Sequence, residues 1–224
     1  MTPKASATTT ESPYRFAGWA AITSGIIGFI AYAVLMTSVI SRDAGVGDHR
    51  FWTLLFKSHD VGAILQALLM IPVVLTLHRI AIQQSGRVSR ATVAAGVTAL
   101  SLMVLLMLLG LVGVIPNVFY MVPQGVLGVW VIVVGRLVPV VIPRGLRWLG
   151  FVSGIGLLLV ATFPIAYVLL VDPKAPHSTA NRIIHIVLKV GSWMGVFTFP
   201  IWSALVGRRL LRQRARDRLS SFPC

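Results

Sequence analysis

Two ionisable side chains, Asp60 and Lys189, stand inside the long apolar runs of this 224-residue sequence. A charge within a membrane span costs at least about 2.5 kcal/mol on insertion scales, so each marks a functional candidate whose partner must be found. On a helix, Arg182, His185, Lys189 and Ser192 recur at steps of three, four and three and share one face. Lys189 stands as far before Val206, the inner end of its span, as Asp60 does before Leu77. At 1.5 Å per residue both lie about 25 Å above the inner boundary, in the outer part of a core about 30 Å thick. His59, His185, Gln66 and Gln124 fall at similar or slightly deeper levels. The spacing therefore predicts an Asp60–Lys189 ion pair between the second and sixth spans. Around it would lie a polar pocket for a small solute, a proton or a lipid. The alternative is that Lys189 snorkels to the outer headgroups while Asp60 caps or starts a helix.

Other chemistries find less support. His59 and His185 offer two ligands for a haem or metal, whereas His78 lies about 28 Å from His59 along the same helix. No His-x-x-x-His, His-Glu-x-x-His, Gly-x-Ser-x-Gly or P-loop pattern occurs. The single cysteine, Cys224, excludes a disulfide framework or redox pair within one chain. The sequence leans against an enzyme and predicts no cofactor; a b-type haem or quinone-linked redox protein is the weakest of the readings.

The elements that must position these residues are transmembrane helices. The composition is 56% hydrophobic and 12% charged, against roughly 25% charged in a soluble domain. The apolar runs are Phe16–Ile40, Val61–Leu77 extended back to Phe51 with Pro72 inside, and Ala91–Ile115 closed by Pro116 and Asn117. A fourth starts near Phe119 or Pro123 and ends between Gly135 and Ile142; Trp148–Val171 and Arg182–Val206 complete the set. Six spans with both termini cytoplasmic put most of the 20 Lys and Arg residues inside, and Asp43, Asp48, Asp60 and Asp172, four of the six acids, outside. The expected fold is an all-α polytopic membrane protein in a bacterial cytoplasmic (inner) membrane. Residues 1–14 form a disordered cytoplasmic tail, 15–206 the six-helix transmembrane domain and 207–224 a basic cytoplasmic tail. The net charge of +14 then reports orientation and not nucleic-acid binding. Arg208, Arg209, Arg212, Arg214, Arg216 and Arg218 of that tail should lie on anionic headgroups, at about 1 kcal/mol each.

Helices approach closely in lipid only through small residues. Gly150-x-x-x-Gly154, Gly191-x-x-x-Gly195 and Ser24-x-x-x-Gly28 supply them, for packing within the chain or, as the alternative, for a homo-oligomer or a membrane partner. Arg15-Phe16-Ala17-Gly18-Trp19 and Arg147-Trp148-Leu149-Gly150-Phe151 share one pattern at the cytoplasmic starts of helices one and five. It reads as convergent interface chemistry, a basic snorkel, an aromatic anchor and a packing glycine; the alternative is a pair of duplicated hairpins, helices one and two matching five and six about an axis along the membrane normal.

Several stretches together resemble a family of small bacterial membrane proteins known as domain of unknown function 4386. They are Ser58-His59-Asp60 running to Leu77-His78-Arg79, Gly125-Val126-Leu127-Gly128-Val129-Trp130 leading to Val134-Gly135, and Ile142-Pro143-Arg144 followed by Trp148-Leu149-Gly150. The resemblance implies a six-helix bundle of unknown activity with a helix-two aspartate. Leu137-Val138-Pro139-Val140-Val141 replaces the polar segment usual before the Pro-Arg turn, and Lys189 has no family counterpart. The first functional reading is a pocket around Asp60 and Lys189 that binds or transports its ligand. The second is a non-catalytic membrane interaction or assembly subunit.

Overall fold

A computed structural model describes residues 13–85, 89–170 and 179–220. The first twelve residues, Asp172 and Cys224 lie outside them, as do the side chains of Arg214, Arg216 and Arg218. The described residues form helices α1 (Pro13–Asp43), α2 (His49–Ser85), α3 (Arg90–Leu111), α4 (Met121–Leu137, preceded by a 3₁₀ turn Asn117–Tyr120), α5 (Arg144–Leu170), α6 (Thr179–Gly191) and α7 (Thr198–Ser220). A π-helical turn, Ser192–Phe197, joins α6 to α7, so the sixth apolar run is one path with a change of pitch in its middle. Among the described residues, six helical segments are long and apolar enough to cross a membrane.

Capping and turn chemistry set the boundaries. Asp48 Oδ1 accepts the Phe51 amide at 2.8 Å and opens α2, and Ser89 Oγ accepts the Ala91 amide at 3.1 Å to open α3. Gly45 and Gly47 take positive φ between α1 and α2, and Gly113 does so just beyond α3, where a side chain would be strained. Pro72 sits inside α2 without ending it.

Successive spans are neighbours, and the last closes on the first: α1 packs on α2, α2 on α3, α3 on α4, α4 on α5, α5 on α6 and α7, and α7 on α1. The α1–α7 seam is built from small residues. Gly18 and Gly207 face each other, Gly25 lies under Pro200 and Ala204, and Ser203 Oγ reaches the Ala21 carbonyl oxygen at 2.8 Å. Gly207 is a packing residue inside the continuous helix α7. The matched stretches at Arg15 and Arg147 also acquire a spatial relation. Gly18 faces Leu211, and Gly150 faces the Trp202 indole, so both glycines admit α7. Their aromatic neighbours Phe16, Trp19, Trp148 and Phe151 all point outward.

Candidate functional site

Eleven residues into α2 the helix turns His59 and Asp60 inward, and each is only 5% exposed. Asn117, first residue of the 3₁₀ turn after α3, donates from Nδ2 to Asp60 Oδ2 at 2.6 Å. His59 Nδ1 lies 3.0 Å from Asp60 Oδ1. Both carboxylate oxygens are thus engaged, one by a charge-assisted amide bond and one by an imidazole able to share a proton. Tyr120, at the end of the same turn, is buried and within electrostatic range of Asp60.

The local sequence explains this corner. α3 ends at Leu111 with Gly113 at positive φ just beyond it, and Pro116 opens the 3₁₀ turn whose first residue is Asn117. Gly110, the last residue but one of α3, leaves the space that Asn117 fills: a Cβ there would meet the Asn117 side chain. An unpartnered carboxylate in low dielectric would cost several kcal/mol. Here that cost is offset by two neighbours, one the adjacent residue and one from the turn after the neighbouring helix α3.

The predicted Asp60–Lys189 pair is not formed. Lys189 is exposed, on the same outward face of α6 as Arg182 and His185. The cause lies two residues further on. Gly191 and, in the π turn, Gly195 must face α5, where a Cβ on Gly191 would meet Leu159 and Val160 and one on Gly195 would meet Gly156 and Leu157. Two helical steps rotate by about 200°, so seating Gly191 on α5 turns Lys189 away from it. The suggestion that Asp60 caps or starts a helix is corrected as well, since α2 begins at His49 under Asp48.

No family model, curated protein or solved structure matches the chain. Its chemistry has to be argued from its own side chains.

The remaining candidates separate. His185 is exposed, its ring 6.2 Å from that of Phe163. It does not meet His59, because α6 packs on α5 while α2 packs on α1 and α3. Gln66 belongs to the α1–α2 seam, its side-chain amide lying over Gly28 and its backbone carbonyl oxygen accepting from Ser24 Oγ at 3.1 Å. Gln124 is buried on α4 with its side-chain oxygen unpartnered. Gly150 receives Trp202, and Gly154 faces Gly128 so closely that a Cβ on either would stand 2.5 Å from the other's carbonyl oxygen. Gly191 and Gly195 seat the sixth path on α5, so all four glycines serve contacts inside the chain. Arg208, Arg209 and Arg212 are exposed along α7.

Asn117, Tyr120 and Gly110 are site residues that sequence reasoning missed. The available signal was a side-chain amide placed directly after the proline that closes the third apolar run.

Proposed function

We propose that this chain is a multi-pass membrane protein whose working element is a proton-binding site at Asp60, with His59 sharing the proton and Asn117 holding the carboxylate. The observation that carries this reading is the setting of Asp60. It is a buried carboxylate in a candidate membrane span, and its ion-pair partner among the described residues is a histidine, not a lysine or arginine. A lysine or arginine would hold the carboxylate ionised, whereas an imidazole exchanges protons near neutrality. The activity class that follows is binding or proton-linked movement of a small solute across a bacterial cytoplasmic membrane. The chain's likeness to domain of unknown function 4386 belongs to the same proposal.

Infrared spectra of the protein in lipid, recorded before and after exchange into D2O, test it. A carboxyl band that shifts on exchange and is absent in Asp60→Asn supports the site. If no exchangeable carboxyl band belongs to Asp60, the cluster is a structural brace and the interaction-subunit reading takes its place.

The proposal includes both termini in the cytoplasm, supported by the placement of the basic residues. Cys224, the only cysteine, offers a direct check: a membrane-impermeant maleimide should label inverted vesicles and leave intact spheroplasts unlabelled. The reverse pattern overturns the orientation.

A further inference from the structure

Where α4 ends and α5 begins, at the end of the bundle opposite Asp60, a cavity of about 410 Å³ is lined by Arg136, Arg144 and Arg147 together with Ile132, Trp148 and Phe151. We propose that it binds the phosphate of an anionic glycerophospholipid, with an acyl chain running along Ile132 and Phe151.

Three guanidinium groups around one cavity repel one another unless an anion joins them. The acids whose side chains are described, Asp43, Asp48 and Asp60, all stand at the other end of the bundle. The stem of Arg147 passes over Gly135, where a Cβ would lie 3.9 Å from Arg147 Cγ. Its Nε is buried and has no hydrogen-bond partner among the described residues. A buried N–H of a charged group left unsatisfied is costly, and a phosphate oxygen is the acceptor that a guanidinium fork fits best. The first turn of α5 adds backbone N–H groups with no acidic side chain among them, and Gly145 leaves the space over that turn open.

The other wall distinguishes a lipid from a soluble phosphate. Trp148 and Phe151 form an edge-to-face pair, ring centroids 5.7 Å apart, and are 60% and 38% exposed. They stand at the start of an apolar span, where lipid chains meet the headgroup layer. Cationic at one side and apolar at the other, the cavity matches an amphipathic ligand and resembles basic pockets between spans that hold anionic headgroups. A purely topological role for the three arginines needs neither the enclosed Nε nor the aromatic wall.

Native mass spectrometry of the delipidated full chain tests the proposal, with phosphatidylglycerol or phosphatidylcholine added. A single phosphatidylglycerol should be retained in preference to phosphatidylcholine by roughly tenfold or more, equivalent to about 1.4 kcal/mol. Arg147→Gln should abolish that preference. The double variant Arg136→Gln/Arg144→Gln, at exposed positions, should do the same and carries the test if Arg147→Gln does not fold. The variant Arg208→Gln/Arg209→Gln/Arg212→Gln should keep the preference, since those side chains lie outside the cavity. Equal retention of the two lipids, or equal loss in the tail variant, overturns the proposal. Glycerol 3-phosphate, added alone, should neither bind nor displace the lipid; binding as tight as that of phosphatidylglycerol would assign the site to soluble phosphates and overturn the lipid assignment.

Discussion

The corner where α2 meets α3 and α4 and the corner where α5 meets α6 are closed by opposite means. At the first, a charged side chain is drawn inward and matched by hydrogen bonds from His59 and Asn117. At the second, the side chains vanish. Gly156 and Gly195 bring two backbones together, and the π turn lies at that contact. The polar corner is specific in chemistry, and its tight approach, Asn117 over Gly110, is made by a side chain that can rotate. The glycine corner is indifferent to chemistry and intolerant of volume. A charged residue on the glycine corner, Lys189, is consequently pushed to the outside.

The largest expected effect comes from adding volume where only backbone can yield. A Cβ on Gly156 would collide with the backbone nitrogen of Gly195. Gly156→Leu should therefore destabilise the bundle by more than about 3 kcal/mol, beyond the usual range for overpacking a core of side chains. Thermal unfolding in detergent, or loss of the monodisperse species on gel filtration, reads it. A Gly156→Leu protein with unchanged melting would mean that the α5–α6 contact is not close in the membrane.

Next comes the removal of one partner at the polar corner. Asn117→Ala leaves Asp60 Oδ2 without its donor and should cost about 2 to 3 kcal/mol. Adding Asp60→Asn removes the charge that needed the donor, so the double variant should be less destabilised than the sum of the two singles. A double-mutant cycle measured by the same unfolding assay gives the coupling. Strict additivity would dissolve the cluster.

A smaller effect is expected at Gly110, where an added Cβ meets a rotatable amide instead of backbone. Gly110→Ala should cost about 1 to 2 kcal/mol by displacing Asn117, and it should show no further loss when combined with Asn117→Ala. In the infrared experiment it should shift the Asp60 band without removing it. That separates the positioning glycine from the proton-binding carboxylate.

These contrasts also explain what could be read in the chain beforehand. Six apolar helical segments followed from run lengths, because hydropathy is local. Direction around the axis did not follow. It depends on which face a neighbour claims, and for α6 that was settled by Gly191 and Gly195, which the sequence marked as packing residues without naming the helix they pack on. Asn117 was hidden for a related reason: it stood in the loop closing a span, and only the return of the chain after α3 brings it over Asp60. The glycine contacts at Gly25, Gly128, Gly156 and Gly207 were equally silent, since each needs a partner distant in the chain.

The smallest effect should fall on Lys189, and it is the most discriminating. If Lys189 and Asp60 formed a buried pair, Lys189→Met would strand a carboxylate and cost about 3 to 5 kcal/mol. The structure instead places Lys189 on the exposed face of α6 beside Ile186 and Val190, where the side chain can extend toward headgroups along an apolar surface. Lys189→Met should then change stability by no more than about 0.5 kcal/mol and leave the Asp60 infrared band in place. Asp60→Asn should likewise be no better tolerated in the Lys189→Met background than in the wild type. A rescue there would restore the ion pair and move the functional centre from the α2–α4 corner to a cleft between α2 and α6.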